Sequence, residues 1–426
     1  MSQYKAYPAY KDSGVKWIGQ VPEGWDVIPI KRFTKLSTAR TSDATEDVTY
    51  IGLEDVESGS GKHRPTEGCA RQSDSSTVGV FHKGQVLYGK LRPYLRKAII
   101  ADMDGICSTE FLVLEPERVL PELLQNWLLT LDVTQQIEST CEGAKMPRAD
   151  WEDIGNIPMP LSPLIEEQAA IAATLDRKIA SIDALIQKKT RFIELLKEKR
   201  EALITHAVTK GIDHNAKMKD SGVEWIGQVP EHWEVKPFFA LVTELKRKNT
   251  GLIETNVLSL SYGNIIQKPK SRNMGLTPES YETYQIVEAG EMVFRFTDLQ
   301  NDKRSLRSDQ VTQRGIITSA YLAVKPHGID STYFAWLMRS YDLCKVFYAM
   351  GGGLRQSLKF EDVKRLPILI PSHEQQTNIA NAIDVETARI DTLVDKTKQS
   401  ITLLKERRAA FITAAVTGQI DLRGKQ

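Results

Sequence analysis

Two stretches of this chain, 164–210 and 372–417, contain no proline or glycine. Along the first, apolar residues recur at Ile171, Leu175, Ile182, Ile186, Ile193, Leu196 and Leu203. Along the second they recur at Ile379, Ile383, Ile390, Val394, Ile401, Leu404 and Phe411. Steps of 4, 7, 4, 7, 3 and 7 residues place each set on one face of a helix, near a heptad with some drift. The remaining positions are rich in Lys, Glu, Arg, Asp and Gln, as on a solvated face. Pro163 and Pro371 precede the stretches, Ser372-x-x-Gln375 has capping-box spacing, and Gly211 and Gly418 stand near the far ends. Each stretch predicts a helix of about 40 residues, roughly 60 Å long. A narrow apolar stripe of that length cannot stay in water. Either each helix packs on its own domain, or the copies bury their stripes against each other. The matched spacing favours the pair, with an interface drawn from these positions as far as Leu196 and Leu404.

The two stripes lie 208 residues apart, and the offset returns elsewhere. KDSGVKWIGQVPEGWDV at 11–27 is repeated as KDSGVEWIGQVPEHWEV at 219–235, with fourteen of seventeen positions identical. ALITHAVTKGID at 202–213 is repeated as AFITAAVTGQID at 410–421. Residues 28–156 and 236–364, between these repeats, share little identity. Both still alternate short apolar runs with turn signals, which read as strands: VTYIGL, VGVFHKGQVLYGKL and EFLVLEP, then NVLSLSYGN, YQIVEAGEMVFRF and TSAYLAVKP. In each a helical segment follows, then a polar loop with glycine, EGAKMPRADWEDIGNIPMP or GGGLRQSLKFEDVKRLPILIP. The chain thus divides into a tryptophan motif (1–27), an insert (28–156), a helical region (157–213), a second motif (214–235), a second insert (236–364) and a second helical region (365–426). A repeated frame implies a repeated mechanical task or two copies of one partner. Unlike inserts imply two different ligands.

Composition narrows the class. A chain of 426 residues suits two to four domains, and 41% hydrophobic and 26% charged residues are those of a soluble globular protein. A net charge of +1 makes the whole chain no polycation, so charge alone argues weakly for a polyanionic partner. Cys69, Cys107, Cys141 and Cys344 form no Cys-x-x-Cys pair, which fits a reducing compartment and argues against a zinc or disulfide framework. The sequence MSQYKAYPAYKDSG has no apolar core of a signal peptide, and no run approaches a membrane span. These features predict a cytoplasmic protein.

Catalytic motifs are missing. There is no GxxxxGK[ST], GxGxxG after a strand, HExxH, GxSxG or HxE…PCxxC, and no Asn/Asp-Pro-Pro-Tyr run. The seven histidines are scattered, and Glu54/Asp55 and Glu152/Asp153 are adjacent, which in a strand points them to opposite faces. The chain reads as a binder, with no catalytic, cofactor-binding or metal-binding residues expected. Its basic residues cluster locally. YGKLRPYLRK holds Lys90, Arg92, Arg96 and Lys97 without an acid, with Tyr88 and Tyr94 interleaved. The second insert offers Lys246, Arg247 and Lys248, then Lys268, Lys270 and Arg272, then Arg295 and Thr297, then Lys303, Arg304 and Arg307. Lys145 and Arg148 in the first polar loop correspond roughly to Arg355 and Gln356 in the second. Such residues can pair with phosphates or read base edges, Arg on guanine and Gln on adenine. The alternatives are a solvated charged face and, for the loops, a plain turn. Trp17, Trp25, Trp225 and Trp233 read as packing anchors rather than base-stacking platforms.

The order W-x-G-x-[VI]-P-x-x-W, variable insert, long helix ending in LLKE-[KR]-R, twice over, resembles the specificity subunits of type I restriction-modification systems. WIGQVPEGW and WIGQVPEHW, the helix starts EEQAAIA and EQQTNIA, and LLKEKREALITHAVT and LLKERRAAFITAAVT carry the resemblance, which covers nearly the whole chain. It implies an α+β (mixed α/β) fold: two globular target recognition domains joined by two long antiparallel helices in a coiled-coil-like spacer, with a pseudo-twofold internal repeat. It also implies a non-catalytic subunit that reads a bipartite, asymmetric double-stranded DNA target, one domain per half-site. Two copies of a methyltransferase subunit would dock on it, with restriction/translocase subunits in the full complex. S-adenosylmethionine, ATP and magnesium are expected on those partners. The competing reading is a coiled-coil scaffold whose inserts bind peptides or RNA; a second is an enzyme with an unrecognised site.

Overall fold

The computed structural model describes residues 4–42, 48–65, 77–141, 145–268, 280–299, 305–350 and 357–424. The two proline- and glycine-free stretches are long helices, Ile165–Lys210 and His373–Val416. Gly211 and Gly418 follow their last turns at φ +78° and +71°, the left-handed conformation that ends a helix. At the start of the second helix the Ser372 hydroxyl accepts the Gln375 N–H at 3.3 Å, which is one half of a capping box. The Gln375 side chain instead meets His232 at 2.8 Å.

The chain forms two compact units, Met1–Lys189 with Gln399–Gln426, and Thr190–Lys398. Each unit therefore takes one tryptophan motif, one insert, and half of each long helix. Within each unit the helix halves run antiparallel. In the first, Arg408 Nε donates to Asp183 at 3.0 Å. In the second, Arg200 lies 3.3 Å from Asp391. Asp183 and Asp391 are 208 apart, as are Arg200 and Arg408, so the repeat exchanges one ion pair for the other. Leu196, Ile390 and Val394 form a small apolar cluster in the second unit, with Ile193 against it.

The units also repeat each other's sheets. In the first, a four-stranded antiparallel sheet has the order Thr34–Ser37, Phe111–Pro116, Val86–Gly89, Ala98–Ile100. In the second, Val242–Glu244, Leu322–Pro326, Met292–Phe294 and Ser308–Gln310 take the same order. Each insert is zipped shut at its base. Asp26–Pro29 pairs antiparallel with Pro158–Leu161, and Glu234–Pro237 pairs antiparallel with Pro367–Ile370. Two inserts with little shared text thus fold to one plan, because short apolar runs bounded by turns, rather than particular residues, set a sheet whose central strands are buried.

The tryptophan motifs lie where helix and insert meet. Each opens on a hairpin, Tyr10–Asp12 with Gln20–Pro22 and Met218–Asp220 with Gln228–Pro230. Ile18, Val21 and Trp25 join a core with Ile171, Ala172 and Leu175 from one helix and Ile412, Ala415 and Val416 from the other. Ile226, Val229 and Trp233 join the equivalent core with Ile379, Ala380, Ile383, Ile204, Ala207 and Val208. The two glutamines at the helix starts repeat one task. Gln168 accepts the Leu120 N–H at 3.0 Å and donates to the Ser162 carbonyl at 2.9 Å. Gln376 accepts the Asp330 N–H at 2.7 Å and donates to the Pro371 carbonyl at 2.9 Å. Both glutamines therefore tie an insert helix to the long helix.

Candidate nucleic-acid interface

The acid-free run 88–97 leaves the sheet after Val86–Gly89 and makes a tight loop around the single turn Pro93–Leu95. Arg92 and Arg96 flank that turn at φ 53° and 49°. Left-handed backbone at a non-glycine residue carries strain, and it persists only where the surroundings hold it. Here the second candidate loop supplies the hold. The Arg92 N–H donates to the Pro147 carbonyl at 2.8 Å, the Ala149 N–H donates to the Lys90 carbonyl at 3.0 Å, and Leu91 bridges Arg148. Two segments more than fifty residues apart are thereby stitched into one surface. Arg92, Tyr94, Lys145 and Arg148 are exposed on it, and Lys90 is half-buried.

The cations of this surface have different environments. Among the described residues Arg92 and Lys145 have no carboxylate partner. Arg148 Nη2 donates to Glu110 at 2.6 Å. Arg96 is turned inward, its guanidinium 3.4 Å from the Leu129 carbonyl and packed over Gly59. Lys97 donates to the Leu53 carbonyl at 2.5 Å, and burial holds its ammonium below the usual lysine pKa. Tyr88 is fully buried in the core. Arg96, Lys97 and Tyr88 hold the loop in place, and Arg92, Lys145 and Arg148 are what it presents.

In the second unit Lys268 is exposed at the end of the hairpin Leu258–Ser261 with Asn264–Gln267. Arg295 is half-buried, and its N–H donates to the Arg307 carbonyl. Arg307 corrects the sequence reading: it is 0% exposed. Its guanidinium donates to the Thr297 and Asp298 carbonyls at 3.0 and 3.3 Å and to the Tyr348 hydroxyl at 3.2 Å. Its backbone N–H donates to Asp342, whose carboxyl burial pushes up to about 6. A side chain so enclosed offers no donor to a phosphate; it shapes the loop that carries Thr297. Lys246 pairs with Glu244, and Arg247 with Glu288 and Glu291, so neither is an unopposed charge. Lys270, Arg272, Lys303, Arg304, Arg355 and Gln356 lie outside the described residues.

Of the stripe positions, Ile171, Leu175, Ile379 and Ile383 lie in the unit cores, and Leu196, Ile390 and Val394 in the small cluster. Ile182, Ile186, Ile193, Ile401 and Leu404 are half-buried. Leu203 packs beside the second core and Phe411 is in the first. The periodicity missed Glu110, Glu167 and the paired glutamines. Their only signals are an acid beside a basic loop in space and the repeated Glu/Gln-Gln at the helix starts. Among the described residues no helix is long and apolar enough to cross a membrane, and no three His, Cys, Asp or Glu side chains form a metal cluster.

No protein-family model matches the chain. The specificity subunit of the Escherichia coli type I restriction enzyme EcoDI is 24% identical over 201 residues, 44% of this chain and 45% of its own length. The MjaVIII specificity subunit of Methanocaldococcus jannaschii is 26% identical over 240 residues, 53% of this chain and 51% of its own. The chain spans about half the length of these two relatives. The putative MjaX specificity subunit of the same archaeon is 22% identical across 97% of this chain and 98% of its own. A chain solved in a study of complex assembly and conformational transition in a type I R-M system superimposes with a TM-score of 0.66 at 18% identity, covering 93% of this chain and 98% of the other. The HsdS subunit from Thermoanaerobacter tengcongensis gives 0.55 at 17%, covering 94% and 98%. In sequence and in fold, the chain is similar to the specificity subunits of type I restriction-modification systems.

Proposed function

We propose that this chain is a sequence-specific DNA-recognition subunit of a type I restriction-modification complex. It reads a bipartite, asymmetric duplex, one insert per half-site. The observation that carries the reading is the pair of inserts with one sheet order and unlike text, closed onto a repeated frame. A frame that repeats Trp25 and Trp233, and Gln168 and Gln376, does one mechanical task twice. Inserts that diverge in their loops supply two different readouts. The long helices set the gap between half-sites and dock two methyltransferase subunits; restriction/translocase subunits complete the complex. Half-sites a helical turn apart, about 34–36 Å, lie on one side of the duplex, so their spacing is set by geometry. Two modest binders joined in this way gain affinity when both engage. Methyl transfer and strand cleavage, with S-adenosylmethionine, ATP and magnesium, belong to the partners.

Duplex binding by the assembled complex across a salt series tests this. With six to ten phosphate contacts, affinity falls roughly 10³–10⁵-fold between about 50 and 200 mM salt. Replacing Arg92 and Lys145 by Ala is expected to lower the salt slope by about two, since each is an exposed cation without an acid partner among the described residues. Arg96→Ala changes the loop rather than a phosphate contact, so its slope stays nearer that of the wild type. A flat salt response in the intact complex contradicts the DNA reading and favours a protein or peptide ligand.

A further inference from the structure

The geometry points to Arg148 as a base-reading side chain and to Glu110 as the residue that positions it. This rests on the DNA reading above and says which cation of the first insert carries sequence information.

The pair is poorly placed to serve stability. Arg148 is 60% exposed, and exposed ion pairs contribute little. Glu110 is only 22% exposed, and its second oxygen, Oε2, is buried with no hydrogen-bond partner. A buried acceptor left unmade is a cost that calls for a reason other than folding. A carboxylate also repels nearby phosphates, so a surface built only for backbone contact has no use for one beside its cations. Among the described residues Arg92 and Lys145 on the same surface have no such neighbour, which suits phosphate contacts.

Orientation is the reason the arrangement supports. Arg148 has five N–H donors in a rigid fork. Glu110 takes one at 2.6 Å through Nη2, and the side chain is otherwise 60% exposed. A guanidinium fixed in this way is preorganised for the two acceptors that guanine presents in the major groove, O6 and N7. Both anchors are rigid. Glu110 precedes the strand Phe111–Pro116, and its carbonyl accepts the Lys90 N–H at 2.9 Å. The Arg148 backbone bridges Leu91. In the second unit the strand-aligned position to Glu110 is Ala320, judged by Leu112 facing Tyr88 and Leu322 facing Phe294, and by the matching turns that Phe111 and Tyr321 close on Ser108 and Thr318. The device therefore belongs to the first insert, as expected if the half-sites differ.

The test measures binding of the assembled complex to its methylated target sequence and to every single-base change within it. For Arg148→Ala we expect discrimination at one G·C pair in one half-site to fall by about 5- to 100-fold, with the salt slope unchanged. Arg148→Lys does not restore it, because an ammonium lacks the fork. Glu110→Gln weakens discrimination at the same base pair and leaves the other positions alone. Uniform weakening across all sequences, with the salt slope reduced by about one, makes Arg148 a phosphate contact and overturns the proposal. Unchanged discrimination in Arg148→Ala also overturns it. If the wild-type complex does not discriminate sequences at all, the DNA reading itself falls, a result distinct from either.

Discussion

Replacing Trp25 or Trp233 by alanine is expected to destabilise its unit by about 3–5 kcal/mol, a large share of the roughly 5–15 kcal/mol that holds an ordinary domain folded. The two rings are 3% and 1% exposed, and each sits where hairpin, insert and both long helices share one core. Trp25 packs edge-on against Tyr7 at 5.7 Å. The helix ends crowd the rings: a Cβ on Gly418 would lie 3.3 Å from Trp25 and one on Gly211 3.4 Å from Trp233. The cavity left by alanine therefore opens at the joint that attaches each insert to the frame. Phenylalanine separates the two copies. Trp25 Nε1 lies 3.3 Å from the buried Glu167 carboxylate, which also accepts from Tyr7 at 2.8 Å and Ser162 at 2.6 Å. In the repeat Gln375 stands at the position of Glu167 with its side chain on His232, and among the described residues Trp233 Nε1 is buried with no partner. Trp25→Phe should therefore cost about 1–2 kcal/mol more than Trp233→Phe. Chemical denaturation of the four variants measures this. A Trp233→Ala chain that unfolds at the wild-type denaturant concentration contradicts the role assigned to the motif.

Aspartate at Ile390 is the second large effect expected. Ile390 is 3% exposed, in contact with Leu196 at 7% and Val394 at 8%. A carboxylate there loses water without gaining a partner, and it stands beside Asp391, which already faces Arg200. The cost is expected to exceed about 4 kcal/mol. Ile182, its partner at the 208 offset, is half-buried, so an aspartate there can reach water and should cost about 1–2 kcal/mol. Sequence periodicity alone treats the two positions as equal; their environments do not. Thermal melts of the two single variants decide it: equal shifts in Tm would mean that the cluster is not what covers the stripe.

The helices, their ends and the repeat were legible because periodicity and internal comparison report them directly. Pro163, Gly211 and Gly418 mark the helix bounds, and the 208 offset predicts which residue repeats another's environment. Long-range stitching was less legible. That 88–97 and 145–149 form one surface depends on hydrogen bonds between backbone groups, which no side-chain pattern records. Burial of individual cations was not legible either. Arg307 sits in a basic run like any solvated arginine, yet three neighbours enclose its guanidinium. Arg96 and Lys97 read as exposed charge and are turned toward backbone carbonyls. A charged run gives the number of cations available, and the fold decides which of them face outward.

Mapping methylated motifs in a host that carries the partner subunits tests the central claim most directly. Cells with this chain are expected to methylate one split motif, and cells without it none of that motif. Exchanging residues 28–156 for the equivalent insert of a relative should change one half of the motif and keep the other half and the gap. Methylation that survives loss of the chain, or an exchange that alters both halves or neither, would contradict the account.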